Sequence, residues 1–185
     1  KARNYVIPNG VIQIAYDAFY GCKFLTSIAV ANTVTNIAEG AFYNCIALQS
    51  VSLPENLPTI QNVTFSGCSS LQTVHLPAGL REIGAGAFES CGLTNIDLGN
   101  GVTNIASGAF TYCYNLSTIT LGNSVTTIGD YAFIHCYALS TINFGNSLTT
   151  IRDFAFMQCT SLRNITIPAS VKHIGNAAFL ASGLT

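Results

Sequence analysis

The sequence predicts a right-handed solenoid of parallel strands, because one residue pattern repeats along the whole chain. A Phe recurs at steps of 23 residues, apart from a single step of 22, and an Ile lies five residues before each Phe. The recurring residues are Phe19, Phe42, Phe65, Phe88, Phe110, Phe133, Phe156 and Phe179. Since no repeat could bury its apolar side alone, stacked repeats are expected to share one continuous core.

Each repeat of about 23 residues is predicted to hold a strand, a turn, an extended stretch and one short helical or 3-10 turn. The fold is therefore a mostly β member of the α/β class, with strands on one face and helical turns on the other. Residues 116–121 show the strand pattern, apolar-x-x-apolar-x-apolar, which is typical of a half-buried strand. Turn-forming residues follow at 122–124. Asp130 or Ser107 would cap a helical turn.

Seven Cys residues keep the same period, each three residues after a Phe, and Ser182 takes this place in the last repeat. They are Cys22, Cys45, Cys68, Cys91, Cys113, Cys136 and Cys159. Zinc sites use short pairs such as C-x2-C, whereas these intervals are 22 or 23 residues. Disulfides need converging Cβ atoms, and an odd number would leave one thiol over. We interpret the Cys residues as a structural ladder and expect no metal site and no cofactor.

The composition argues against several kinds of partner. Only 8% of the residues are charged, against about 25% in typical soluble domains, and the formal net charge is −1. Nucleic acids and anionic membranes both require a basic surface, so neither is expected as a partner. No run of about 18 apolar residues occurs, so membrane insertion is not expected.

Residues 124–139 read SVTTIGDYAFIHCYAL, which resembles the BspA-like, or treponemal-type, leucine-rich repeat family. Units of that family look like L-x-x-I-x-L-P-x-S-V-x-x-I-G-x-x-A-F-x-x-C, and the A-F-x-x-C half makes the resemblance specific. The third repeat departs from the pattern, because residues 58–65 lack the Gly and the Ala. Gly also replaces the Pro after the strand at Gly99, Gly122 and Gly145.

The resemblance covers nearly the whole chain, which we treat as one leucine-rich-repeat domain, residues 1–185, and expect to be a fragment of a longer repeat array. It implies a cell-surface or secreted protein that adheres to host extracellular-matrix proteins or to other cells. The sequence itself contains no signal-peptide pattern, so this localisation rests on the resemblance alone. Function varies widely within one fold, so the fold transfers more safely than the ligand.

Two columns of polar residues are expected to face outward from the strands and to bind a protein ligand. The candidate residues are Ser50, Ser52, Thr73, His75, Asn95, Asp97, Thr118, Thr120, Thr141 and Asn143. Hydroxyls and amides can supply directional contacts at low charge, yet they also suit a solvated strand whose stacked hydroxyls bond to each other. Both interpretations stay open. His75 and Asp97, expected as cross-strand neighbours, are the place to look for a hot spot.

A second candidate interface comprises tyrosines near the Cys positions, where the turns meet solvent. These are Tyr20, Tyr43, Tyr112, Tyr114 and Tyr137. Tyrosine offers a large rigid contact with a polar tip and is enriched at interfaces. The alternative is that the rings simply pave the surface between repeats. The three histidines are interpreted as ordinary surface or turn residues, although His135 beside Cys136 has ligand chemistry.

The sequence favours a non-enzymatic protein-interaction module. No G-x-S-x-G, H-E-x-x-H or phosphate-loop motif occurs, and the carboxylates are scattered rather than paired. Ser, His and Asp are all present, so composition alone leaves a hydrolase open. The main alternative is a structural or self-assembling scaffold, because uncapped solenoid ends expose apolar surface and could support a homo-oligomer.

Overall fold

The computed structural model describes residues 3–184. They form a parallel β-solenoid of about seven turns with about 23 residues per turn, which confirms the predicted fold class. We call each turn of the solenoid a rung. The strands are β1 (Arg3–Ile7), β2 (Gln13–Ile14), β3 (Leu25–Val30), β4 (Asn36–Ile37), β5 (Ser50–Ser52), β6 (Thr59–Ile60), β7 (Glu82–Ile83), β8 (Asn95–Asp97), β9 (Asn104–Ile105), β10 (Thr118–Thr120), β11 (Thr127–Ile128), β12 (Thr141–Asn143), β13 (Thr150–Ile151) and β14 (His173–Ile174).

The strand face is built, in order along the solenoid, from β1, β3, β5, residues 72–76, β8, β10, β12 and residues 163–167. β3 pairs in parallel with β1 and β5, and β10 pairs in parallel with β8 and β12. Within the described chain, residues 73–76 and 163–167 make no backbone hydrogen bond to a neighbouring rung. The strand face is therefore interrupted on both sides of the first stretch and again before the second.

A second set of paired strands, the side ladder, contains β2 and β4 in one sheet and β6, β7, β9, β11, β13 and β14 in another. The Thr35 N–H donates to the Ile12 carbonyl at 2.9 Å, which ties β4 to the rung before it. Pro58 occupies the same position one rung later and has no N–H. The side ladder stops between β4 and β6 because this donor is missing.

The third side of each rung, the turn ladder, surrounds the recurring Phe. The Phe110 N–H donates to the Ala132 carbonyl of the next rung at 2.8 Å, while the Cys113 N–H donates to the Phe110 carbonyl of its own rung at 3.2 Å. Alternate amides thus bond between rungs and within a rung. Most of these donors find a partner, which buried backbone requires.

The turn ladder differs from the predicted helical turn, because residues 3–184 contain no α-helix or 3-10 helix, and Ser107 and Asp130 cap none. In every rung, the residue two positions before the Phe and the residue two positions after it have positive φ. Residues in this conformation cannot continue a right-handed helix. The non-glycine ones are Asp17, Asn44, Val63, Ser90, Tyr112, Tyr131, His135, Phe154, Gln158, Ala177 and Ala181. In the part of the chain that is described, no helix is long and apolar enough to cross a bilayer.

The core is a column of stacked Phe rings enclosed by the three ladders. Phe88, Phe110 and Phe133 are each 0% exposed, and adjacent ring centroids lie 5.4 and 5.2 Å apart. The interplanar angles of 7° and 3° show nearly parallel rings. Equivalent side chains of successive rungs therefore fill the interior in rows, and each buried ring adds to the apolar stabilisation of its rung.

Candidate interaction surface

The strand face presents two columns of polar side chains, on either side of the buried residue at each strand centre. Thr118 pairs with Asn95 of the preceding rung and with Thr141 of the following rung. Thr120 pairs in the same way with Asp97 and with a residue of β12. Parallel pairing in register spaces equivalent side chains by about 4.8 Å. Ser50 and Ser52 occupy the same columns in β5, beside β3.

A neighbouring column of hydroxyls uses its hydrogen bonds inside the solenoid. The Ser117 hydroxyl donates to the Thr94 carbonyl at 2.9 Å, and the Ser140 hydroxyl donates to the Ser117 carbonyl at 3.4 Å. The Thr26 hydroxyl contacts the Arg3 carbonyl at 3.2 Å in the same manner. These hydroxyls bond to backbone of the preceding rung, so this column has less hydrogen-bonding capacity left for a ligand.

The two candidate columns are different, because few of their polar groups are used within the described chain. The Asn143 amide donates to the Thr120 hydroxyl at 3.2 Å, and Asp97 accepts the Gly99 N–H at 2.9 Å. No other side-chain hydrogen bond involves the candidate residues. Their remaining donors and acceptors point to solvent and are available for intermolecular contacts.

His75 and Asp97 border an opening of about 380 Å³ in the strand face. Val74 and Ile96 lie at its floor, with Leu76 half-buried beside them. Near the opening, the two rungs are linked through the Gln72 carbonyl, which accepts the Thr94 N–H at 3.1 Å and the Thr94 hydroxyl at 3.4 Å. Within the described chain, His75 and Asp97 form no ion pair, and Asp97 accepts only the Gly99 N–H. Val74 and Ile96 are buried, so Leu76 is the most exposed apolar residue at this opening.

A second opening of about 580 Å³ lies three rungs further along the strand face, between β12 and residues 163–167. Ile142, Phe144 and Ile165 line its floor, and each is half-buried, whereas Ile119 at the centre of β10 is 0% exposed. The candidate residues Thr141 and Asn143 border it on one side. The sequence analysis did not single out this opening.

The turn residue after each strand changes at the two openings. A Cβ added to Gly122 or Gly145 would collide with the carbonyl oxygen of the preceding rung, whereas one added to Gly99 would meet nothing within 4 Å. Pro77 and Pro168 occupy this position in the rungs that flank the three glycine rungs. β8, β10 and β12 therefore form a tight block, and the strand face opens where this block meets a proline rung.

The Cys residues form a buried ladder beside the Phe column. The Cys113 thiol donates to the Phe88 carbonyl of the preceding rung, with 3.0 Å between sulfur and oxygen, and Cys136 repeats this contact with Phe110 at 3.3 Å. Burial raises the pKa of Cys113 to about 12, despite a backbone hydrogen bond that acts in the opposite direction. The thiols stay protonated and donate hydrogen bonds, which is the structural role expected from the sequence.

The five candidate tyrosines separate into two clusters. Tyr20 and Tyr43 stack with ring centroids 5.3 Å apart, and Tyr114 stacks on Tyr137 at 5.5 Å. Tyr112 lies beside Tyr114 in the second cluster, at 6.0 Å. The two stacked pairs, Tyr20 with Tyr43 and Tyr114 with Tyr137, bridge adjacent rungs, so part of their surface is used within the solenoid. They do not form one continuous interface.

His135 belongs to the second tyrosine cluster, a role that the sequence analysis missed. Its ring stacks on Tyr112 at 5.1 Å, and its Nδ1 lies 3.0 Å from the Tyr137 hydroxyl. The adjacent Cys136 side chain points instead into the core, where it is 0% exposed. No group of three His, Cys, Asp or Glu residues suited to a metal ion occurs in residues 3–184.

The surface carries little organised charge. Arg152 and Asp130 form an exposed ion pair at 3.9 Å, which is the single salt bridge of the described residues. Close by, the backbone N–H of Asn176 donates to Asp153 at 2.7 Å and holds the pKa of that carboxyl below its ordinary value. These groups lie on the turn side of the solenoid, away from the candidate columns.

These features define the class of protein as a leucine-rich repeat solenoid. The sequence model of the BspA type leucine rich repeat region matches residues 1–116 and 81–185, with six copies of the repeat. The chain belongs to the BspA-type leucine-rich repeat family. Leucine-rich repeat proteins are generally protein-interaction modules. No curated protein matches the chain.

Three solved structures share this architecture. A leucine-rich repeat protein from Bacteroides ovatus is 34% identical with a TM-score of 0.94, and the match covers 98% of this chain and 50% of that one. The Treponema pallidum leucine-rich repeat protein is 32% identical with a TM-score of 0.83, over 88% of this chain and 79% of that one. A leucine-rich cell surface protein from Faecalibacterium prausnitzii is 32% identical with a TM-score of 0.65, over 98% and 46%. The chain thus spans about half the length of the Bacteroides protein.

Proposed function

We propose that this chain is a non-enzymatic module, at the cell surface or secreted, that binds a protein ligand through the strand face. The observation that carries the proposal is the set of unused hydrogen-bonding groups in the two candidate columns, next to a column whose hydroxyls are bonded internally. With so little charge, recognition depends on shape and directional hydrogen bonds. The surface location is supported by the Faecalibacterium relative, which is a cell surface protein.

Extracellular-matrix proteins are the ligand class proposed for the strand face. The direct experiment measures binding of the purified chain to immobilised matrix proteins by surface plasmon resonance. A variant with Thr73→Ala, His75→Ala, Asp97→Ala and Thr118→Ala is expected to lose at least tenfold in affinity, because it removes hydrogen-bonding groups from both columns. Absence of binding by the parent chain, or unchanged binding by this variant, would overturn the assignment.

A matched control comes from the side ladder. A variant with Asn104→Ala, Thr127→Ala and Thr150→Ala removes polar groups from partly exposed positions outside the strand face. It should fold as well as the strand-face variant and bind like the parent chain. Equal losses in the two variants would show that binding is not confined to the strand face.

A further inference from the structure

The two openings in the strand face flank the tight block formed by β8, β10 and β12. The first lies between residues 72–76 and β8, and the second lies between β12 and residues 163–167. Their volumes, about 380 and 580 Å³, can each accept one apolar side chain. The apolar residues that line the openings are more exposed than those in the middle of the block. Leu76 at the first opening and Phe144 at the second are half-buried, whereas Leu121 directly after β10 is 0% exposed.

The distance between the openings matches an extended polypeptide. They are separated by three rung steps, and at about 4.8 Å per step the span is roughly 14 Å. An extended chain rises about 3.3 Å per residue, so residues i and i+4 lie roughly 13 Å apart. Because side chains alternate with a period of two, residues i and i+4 also point to the same side. One segment lying along the solenoid axis could therefore place a side chain in each opening.

The surface between the openings favours an extended segment over a helix. Thr118, Thr120 and Thr141 present hydroxyls there that are largely free within the described chain. An extended segment exposes backbone N–H and C=O groups that can bond to these hydroxyls, whereas a helix has already satisfied its own. The unpaired backbone of residues 73–76 adds further donors and acceptors at the first opening.

The charge at the first opening adds a second requirement for the ligand, besides the spacing of its apolar residues. Asp97 borders that opening, and one of its carboxylate oxygens accepts the Gly99 N–H while the other is free. The second opening has no charged lining residue. A basic residue two positions from one of the two apolar residues points to the same side of an extended segment, and it would find a complementary charge at the first opening only.

We infer that the ligand of the strand face is an extended protein segment whose apolar residues at i and i+4 enter the two openings, with a basic residue beside Asp97. This inference rests on the proposed function and specifies the chemistry of the ligand. The block of β8, β10 and β12 sets the separation of the openings. Its borders coincide with the change from Pro77 to Gly99 and from Gly145 to Pro168.

The test is an NMR titration of the 15N-labelled chain with the capped heptapeptide Thr-Leu-Thr-Lys-Thr-Leu-Ser, in which the lysine lies on the same side as the two leucines. Amide shifts are expected at residues that line both openings. The control peptide Thr-Leu-Thr-Lys-Leu-Thr-Ser has the same composition but places its leucines at i and i+3, on opposite sides of an extended chain. We expect its Kd to be at least fivefold higher. Equal Kd values, or shifts at one opening only, would overturn the inference.

Two tryptophan variants fill the openings separately. Thr73→Trp and Thr166→Trp each introduce a bulky side chain at an exposed lining position, and each should weaken the matched peptide at least fivefold. Thr127→Trp introduces the same ring at a partly exposed position of β11 in the side ladder, outside the strand face, and should leave the Kd unchanged. A loss with Thr127→Trp as large as with Thr73→Trp would contradict a role for the openings.

The two levels of the proposal fail in distinguishable ways. If matrix proteins bind the chain and lose affinity in the strand-face alanine variant, while the two peptides bind equally or not at all, the proposed function stands and this inference fails. If neither the matrix proteins nor the peptides bind, both fail. An Asp97→Asn variant should raise the Kd of the matched peptide two- to threefold and reduce its salt dependence.

Discussion

The strand face and the turn ladder share one 23-residue period but use it in opposite ways. In the turn ladder, Phe110, Cys113 and their equivalents bond and stack on the same partners in successive rungs. On the strand face the same period is interrupted three times, and polar groups are left without internal partners. The difference indicates that the turn ladder supplies stability, whereas the irregular strand face is the region that can carry recognition.

The largest expected effect is a loss of stability in alkali, which arises in the turn ladder. Burial raises the pKa of Cys45 to about 11 and of Cys159 to about 12, and the other buried thiols shift in the same direction. Above pH 9 the unfolded chain loses these protons while the folded chain keeps them. The stabilisation is therefore complete below pH 9 and is lost as the pH rises toward the folded pKa values.

Deprotonation of each such thiol in the unfolded chain lowers the free energy of unfolding by up to about 1.4 kcal/mol per pH unit in this window. The six thiols together should remove more than about 10 kcal/mol between pH 9 and 11, so the chain should unfold within this range. Urea unfolding at a series of pH values measures this loss. Cys113→Ala should reduce the slope by the share of one thiol. A free energy of unfolding that stays constant from pH 9 to 11 would contradict the buried thiol ladder.

The next largest effect is the difference in unfolding free energy between a substitution in the turn ladder and one on the strand face. Phe110→Ala removes a ring that is 0% exposed and stacked on both sides, and should cost about 3–5 kcal/mol of unfolding free energy. Thr118→Ala on the strand face should change it by less than about 0.5 kcal/mol. Urea unfolding of both variants checks the contrast, and similar costs would show that the strand face is as important for stability as the turn ladder.

A matched glycine pair tests the tight block of the strand face. Gly99 and Gly122 both have positive φ, 64° and 72°, so alanine is strained at either position. Only Gly122→Ala also drives a Cβ into the Gly99 carbonyl oxygen. We expect a cost of about 1 kcal/mol for Gly99→Ala and about 2–4 kcal/mol for Gly122→Ala. Equal costs in thermal or urea unfolding would argue against the close stacking.

The smallest effect is a predicted gain in the turn ladder. Val63 has a φ of 46°, although β-branched residues are strongly disfavoured there, and glycine occupies the equivalent positions Gly40 and Gly86. Val63→Gly should raise the unfolding free energy by about 0.5–1 kcal/mol. Val63→Ala keeps the strained conformation and should give no gain. A destabilising Val63→Gly would mean that packing of the valine outweighs its backbone strain.

The sequence predicted the parallel solenoid, its period and its buried rows because the apolar positions are exact repeats. It also contained the cause of the interruption between β4 and β6, since Pro58 replaces the donor found at Thr35. The predicted helical turn was wrong because the short segment around each Phe resembles a capped helix locally. The left-handed conformation of two residues in each of these segments is set by hydrogen bonding between rungs. Residue types such as Tyr131 and Phe154 give no local signal of positive φ.

The candidate columns could be named from the sequence because the strands alternate, but the openings could not. The openings depend on how closely consecutive rungs approach each other. This approach changes where Pro77 lies next to Gly99 and where Gly145 lies next to Pro168. Those replacements were visible as departures from the family pattern, yet their effect appears only when rungs are stacked. The division of the tyrosines into two clusters likewise depends on contacts between rungs.

Amide hydrogen exchange measured residue by residue by NMR tests the contrast between the two regions most directly. The amides of Phe88, Phe110 and Phe133 bond to the next rung and should exchange only through global unfolding. The amides of His75 and Thr166 have no backbone partner in a neighbouring rung and should exchange orders of magnitude faster. Equal protection at both sets of positions would contradict the interrupted strand face.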